Sequence, residues 1–158
     1  MSIAFVYVMM SPALMISAGF ICFCCILAAI ARFVVARNIK SALIQELLYE
    51  AIASAELCSC CFELIIVADN FGVSVYAIFL FFLTILWSLV WGDATACPYT
   101  HLEDMLEGKT SIKLVVLKTW AQLMGGCCVY RFVQIFWWFE FAQTYEGRAF
   151  ENCATDLQ

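Results

Sequence analysis

The stretch WGDATACPYTHLEDMLEGK, Trp91 to Lys109, is the most polar part of an otherwise very apolar chain and follows a long run without charge. A polar insertion between apolar segments is either a connection lying in water or a piece of chain folded back into the membrane, and the fold depends on which. Pro98 has no N–H to donate and suits the first turn of a helix. The YTHLEDMLEG that follows has a helix-compatible pattern ending at Gly108. Glu103, Asp104 and Glu107 give that short helix an amphipathic character, as a plain surface helix would have. The alternative is a re-entrant half-helix whose N-terminal amides point at a passage, tolerated at membrane depth only where the segment is buried or lines a cavity.

Of 158 residues, 65% are hydrophobic and 13% are charged, and the mean hydropathy is +0.93. That composition describes a membrane protein rather than a soluble domain. Met1 to Ala31 carries no charge at all, a run longer than the roughly 20 apolar residues that a spanning helix needs. A cleaved signal peptide would need a basic start and a short apolar core, and Ala29-Ile30-Ala31 imitates only its cleavage site. The net charge of −5 argues against nucleic acid as a partner, because neutralising phosphates requires a basic stripe. The ten cysteines include Cys22, Cys24 and Cys25 and a second set at Cys58, Cys60 and Cys61, both inside apolar runs. Metal ligation would need thiolates, which are costly at that depth, so these residues read as small apolar packers and no metal or cofactor is expected. Cys153 differs, since it lies in a polar tail and would be free to pair in an oxidising lumen. No nucleophile, base and orienting group can be placed together, so enzymatic activity is not expected.

Four segments read as membrane helices, at about 12–35, 43–67, 72–92 and 113–138. The second carries Glu46, Glu50, Glu56 and Glu63, which suits a helix making polar contacts inside a bundle. Glu56 and Glu63 share a helix face, and Arg131 in the fourth span is a candidate partner for either. Phe79, Phe81, Phe82 and Trp87 in the third span read as lipid-facing bulk. Arg32, Arg37, Lys40, Lys109, Lys113 and Lys118 fall at one end of a four-span bundle, six of the eight basic residues, and the positive-inside rule makes that end cytosolic. The N-terminus, the turn VADNFGVS and the acidic tail after Phe139 then face the lumen or the outside. His101, the one histidine, reads as a solvated loop residue, with a pH-sensing place near a pore mouth as the alternative.

GDATACPYTHLEDML resembles the first signature loop of the aquaporin (major intrinsic protein) family, with Cys97-Pro98-Tyr99 standing where that family has Asn-Pro-Ala. YEAIASAELCSCCFEL is similar to the first family helix, with Glu50 and Ser54 in its Glu-x-x-x-small pattern, and AQLMGG, Ala121 to Gly126, matches the Ala-Gln-x-x-Gly of the third. ARFVVARN before them and YEGRAFENCATDL after them resemble the unorthodox eleven- and twelve-type branch, whose first triplet is also degenerate. The resemblance covers nearly the whole chain and corresponds to the N-terminal half of such a protein. It implies an all-α membrane fold. An extra N-terminal span with a cytosolic basic turn occupies 1–41, a first repeat of three transmembrane helices occupies 42–139 with its re-entrant loop at 93–110, and 140–158 begins a lumenal or extracellular connection to a second repeat.

The same resemblance implies a channel for water or small neutral solutes, a tetramer embedded in membrane lipid, and an intracellular membrane such as the endoplasmic reticulum, with the plasma membrane as the other location. Cys97 takes the position of an Asn that donates a hydrogen bond to passing water, and a thiol is a much weaker donor. Glu50 is implied as the acceptor for re-entrant backbone amides, and Gln122 as its companion. Read from position alone, Glu50 is a carboxylate near a helix start and Gln122 an ordinary interhelical hydrogen-bonding group. Ala121 and Gly125 permit close helix packing. The family's aromatic constriction would take a residue near Ala77, which implies a wide opening. One half does not enclose a pore, so two other readings stand beside the channel: a non-conducting partner of longer relatives, and a four-span scaffold.

Overall fold

In the computed structural model, residues 11–141 and 143–150 are described. Cys153 and the rest of the tail from 151 lie outside them, as does the N-terminal stretch 1–10. Among the described residues five helices run in order: α1 Pro12–Asn38, α2 Ala42–Phe71, α3 Val73–Val90, α4 Pro98–Leu106 and α5 Ile112–Trp138, followed by short 3-10 turns at Gln143–Tyr145 and Arg148–Phe150. All but α4 are long and apolar enough to cross a membrane. The protein is therefore a multi-pass, all-helical membrane protein.

Local chemistry sets the helix ends. Ser11 caps α1, its hydroxyl accepting from the Leu14 N–H at 3.3 Å, and Pro12 occupies the first turn. Gly72 at φ +86° turns the chain directly from α2 into α3, a left-handed conformation that a Cβ would oppose. Trp91 through Cys97 then leads into α4, which Pro98 opens.

Helix α2 is central, packing most extensively against α5 and also against α1 and α3, while α4 lies on α5. The core joins four helices, with Phe20, Ile21 and Cys24 of α1, Cys60 and Leu64 of α2, Leu83 and Trp87 of α3 and Val133 of α5. Trp87 is thus buried and stacked on Trp91, and Phe79 packs against the core, whereas Phe81 and Phe82 are exposed as expected of lipid-facing bulk. In lipid, apolar burial alone drives little association between helices, so close backbone approach and internal polar contacts carry more of it. Gly125 supplies the close approach, since a Cβ there would fall on the Ala51 carbonyl oxygen of α2.

The polar contacts centre on the carboxylates of α2. Glu56, 3% exposed, takes Arg32 of α1 at 2.7 Å and the Trp91 indole N–H at 3.0 Å. Glu63, fully buried, accepts from the Tyr145 hydroxyl at 2.5 Å and the Trp137 indole at 3.3 Å. The Ser17 hydroxyl of α1 lies 3.2 Å from the same phenol, and Arg148 pairs with Asp69 at 2.7 Å. Burial, and then the bond to Glu63, hold the Tyr145 phenol above its ordinary range, so it remains a hydrogen donor at neutral pH.

Arg131 is therefore not the partner of Glu56 or Glu63. It is exposed and donates to Gln134 Oε1 at 3.3 Å. The cause is rotational, because nine residues from the buried Gln122 at about 100° per residue puts Arg131 on the opposite face of α5.

Gly125→Ala should separate α2 from α5 and lower stability by about 1–3 kcal/mol. Gly126→Ala is the control, since its Cβ would meet only Cys58 Sγ at 3.4 Å and Ser54 Oγ at 3.8 Å. Thermal unfolding of both variants in detergent checks the difference.

Candidate functional site

The site is the connection from Trp91 into α4, held against α2 and α5. Ala96 has φ +57°, a left-handed conformation uncommon for a residue with a Cβ, and is nonetheless buried. That turn aims two consecutive amides at one carboxylate. The Thr95 N–H lies 3.3 Å from both oxygens of Glu50, and the Ala96 N–H lies 3.2 Å from Oε2. Gln122 of α5 donates to the same Oε2 at 2.8 Å, while Ser54 donates to the Gln122 carbonyl at 2.8 Å. Glu50 and Gln122 are 2% and 3% exposed, so these bonds form away from bulk water. Such donors are what permits an ionised carboxylate to be buried, because each replaces a lost water contact.

Directly after the two amides comes Cys97, half-buried at the N-cap of α4. Its thiol makes no capping bond. The Thr100 hydroxyl instead reaches the Cys97 carbonyl at 2.9 Å and the Thr95 hydroxyl at 2.9 Å. The first-turn amides of α4 keep the partial positive charge of a helix N-terminus. Pro98 and Tyr99 are exposed beside Cys97, and Ala77 is exposed on α3. Ala121 is partly buried one residue before Gln122, with the tightly packed Gly125 one turn further on.

His101 departs from expectation. It is not solvated but 4% exposed, with Nε2 3.0 Å from Glu50 Oε1 and 3.3 Å from the Thr95 hydroxyl. The amphipathic pattern of α4 agrees with the exposure of Glu103 and Glu107 but gave no sign that the histidine faces the bundle. A cavity of about 660 Å³ opens at the basic end of the bundle, and Arg32, Glu46, Tyr49, Glu50, Trp91, Asp93 and Lys118 contribute to its lining. Lys118 and Glu46 face each other there at 3.4 Å. Sequence reasoning also missed the tie from Arg32 to Glu56 to Trp91. One signal pointed to it: a cation and an anion inside two neighbouring apolar segments need each other. Among the described residues no group of side chains could hold a metal ion.

Glu50→Ala would leave the Thr95 and Ala96 amides and the Gln122 side chain without their acceptor. The expected cost to loop docking is about 1–3 kcal/mol. It should read out as faster alkylation of Cys97 by a membrane-impermeant maleimide; an unchanged rate would remove Glu50 from the role of anchor.

No family model and no solved structure matches the chain. Among curated proteins it is similar to aquaporin-11 of Milnesium tardigradum, 30% identical over 146 residues, a match covering 92% of this chain and 54% of that protein. The chain thus spans about half the length of the curated relative that it matches. With four apolar spans among the described residues and a short helix between the last two, the chain is similar over nearly all of its length to an aquaporin, consistent with an aquaporin-like half.

Proposed function

We propose that this chain forms the first half of a membrane channel for water or small neutral solutes, with 93–110 as its re-entrant loop and Cys97, Pro98 and Tyr99 as its pore motif. One observation carries the reading: Glu50 of α2 receives the backbone amides of Thr95 and Ala96 immediately before the N-terminus of α4. A surface connection has no need of a buried acceptor for its amides, because water serves them. A loop turned back into the membrane does need one, and here Gln122 holds that acceptor in place.

The N-terminus of α4 supplies the positive end of a helix dipole, which disfavours cations and protons in a passage that neutral molecules can use. Cys97 stands at the narrow part with a thiol, a weak hydrogen donor, so preference for water over other small neutral solutes is lower than an amide would give. Ala77 leaves the aromatic constriction wide. The basic end faces the cytosol, the assembly is a tetramer in lipid, and the membrane is an intracellular one such as the endoplasmic reticulum. The orientation follows the positive-inside rule, and the tetramer and the membrane follow the family resemblance. The pore is enclosed together with a second half. An inverted copy of the same sequence is a poor candidate for that half, because six of the eight basic residues lie at one end and fix a single orientation.

The test measures osmotic water and glycerol permeability of vesicles from cells expressing the full coding sequence that contains this chain. Flux of either solute above vesicles lacking the protein is expected, with loss in Glu50→Ala and a higher water-to-glycerol ratio in Cys97→Asn. Background flux with the protein present in the membrane would overturn the channel in favour of a non-conducting partner or a four-span scaffold. Co-purification with a longer relative separates those two.

A further inference from the structure

The hydrogen bonds to Glu50 are unevenly divided between its two oxygens. Oε2 accepts from Gln122 at 2.8 Å and from the Ala96 amide at 3.2 Å, and shares the Thr95 amide at 3.3 Å. Among the described residues, Oε1 has its share of that same Thr95 amide, also at 3.3 Å, and beyond it only His101 Nε2 at 3.0 Å. A carboxylate oxygen only accepts, so the ring hydrogen belongs on Nε2 and points at Glu50. The Thr95 hydroxyl, 3.3 Å from Nε2, is a second acceptor for it. Without the imidazole, Oε1 would keep one long, shared bond while being buried, and the carboxylate would have little to fix its rotation.

We propose that His101 is a positioning residue that completes the Glu50 cradle and fastens α4 to the loop as one body. The chain from Thr95 to His101 leaves Glu50 through the amides of Thr95 and Ala96 and returns to it through the imidazole at the end of the first turn of α4. Cys97 and the N-terminus of α4 lie between those two attachments. With the amides alone, the loop would be held at one point and α4 could swing about it. With both, the direction of the helix N-terminus is set relative to α2. The thiol and the dipole of the proposed channel thus have a defined position, a consequence that rests on the channel reading, whereas the attachment itself does not.

The charged groups around this cluster have other partners or lie further out. Gln122 is neutral and faces Oε2, Lys118 faces Glu46, Arg32 faces Glu56, and the exposed Asp93 lies two residues before Thr95. None of them supplies Oε1 with a donor among the contacts of the described residues, so the role falls to His101.

The experiment uses the full chain in membranes and measures alkylation of Cys97 by an impermeant maleimide, located by peptide mass. His101→Leu should raise the rate by about tenfold, the change corresponding to one charge-assisted hydrogen bond. His101→Gln, whose amide N–H reaches the position of Nε2, should stay close to the unsubstituted protein. In a Glu50→Gln background the His101→Leu change should add little, because the two groups act together. Equal rates in the Leu, Gln and unsubstituted proteins would overturn the proposal. So would an equal rise in Leu and Gln, which marks a packing role, or a full additional rise in the Glu50→Gln background, which marks a different partner. If His101→Leu also exposes the buried Cys60, the fold has loosened, and His101→Asn, with an amide too short to reach Glu50, takes its place. Alkylation needs no conduction, so this result stands apart from the flux measurement.

Discussion

The fold of this protein depends on the Glu50 carboxylate accepting the amides of Thr95 and Ala96. On the channel reading, this backbone turns back at membrane depth, where N–H groups find neither water nor lipid to satisfy them. An ionised carboxylate offers about four lone-pair sites at one place, enough to serve two amides and the side chains that brace them. Its own desolvation would be prohibitive without those donors, so cradle and loop require each other. Several features that look unrelated serve this contact. Gly125 brings α5 against α2, which puts Gln122 within 2.8 Å of the carboxylate, and the left-handed Ala96 turns consecutive amides the same way.

The same physics recurs along α2. Glu56 and Glu63 are seven residues apart, two turns, and point to the side of α1, whereas Glu50 is rotated away from them by about 120° toward the loop. Glu56 draws in Arg32 and Trp91, and Glu63 draws in Tyr145 and Trp137, with Ser17 beside the phenol. The first helix is therefore tied to the bundle at two levels by hydrogen bonds, and not merely packed on its outside. Trp91 ties the Glu56 level to the loop, since it bonds Glu56 and begins the chain that Glu50 receives.

That arrangement sets the position of the site. Cys97 and the first turn of α4 stand at the end of a polar scaffold running from Arg32 through Glu56, Trp91 and Glu50, with the cavity at the basic end of the bundle beneath it. On the channel reading, the scaffold holds a weakly donating thiol and a helix N-terminus where a neutral solute would pass, and keeps the acidic face of α4 away from it.

Composition alone determined the membrane setting and the four spans, because an uncharged run long enough to cross the hydrocarbon layer finds its stable surroundings there rather than in water. Pro98 marked where the short helix starts for an equally local reason, the missing N–H. The family resemblance singled out Glu50 and Gln122, and their meeting at 2.8 Å follows once α2 and α5 are neighbours. What the sequence left open was decided by helix rotation and neighbourhood. His101 lies buried against Glu50, Arg32 rather than Arg131 meets Glu56, and Trp87 faces the core while Phe81 and Phe82 do not. A span that is apolar all round carries little periodicity to say which face turns inward, because lipid and protein interior are equally acceptable surroundings for its side chains. Only the packed bundle, where most buried donors find an acceptor, settles those choices.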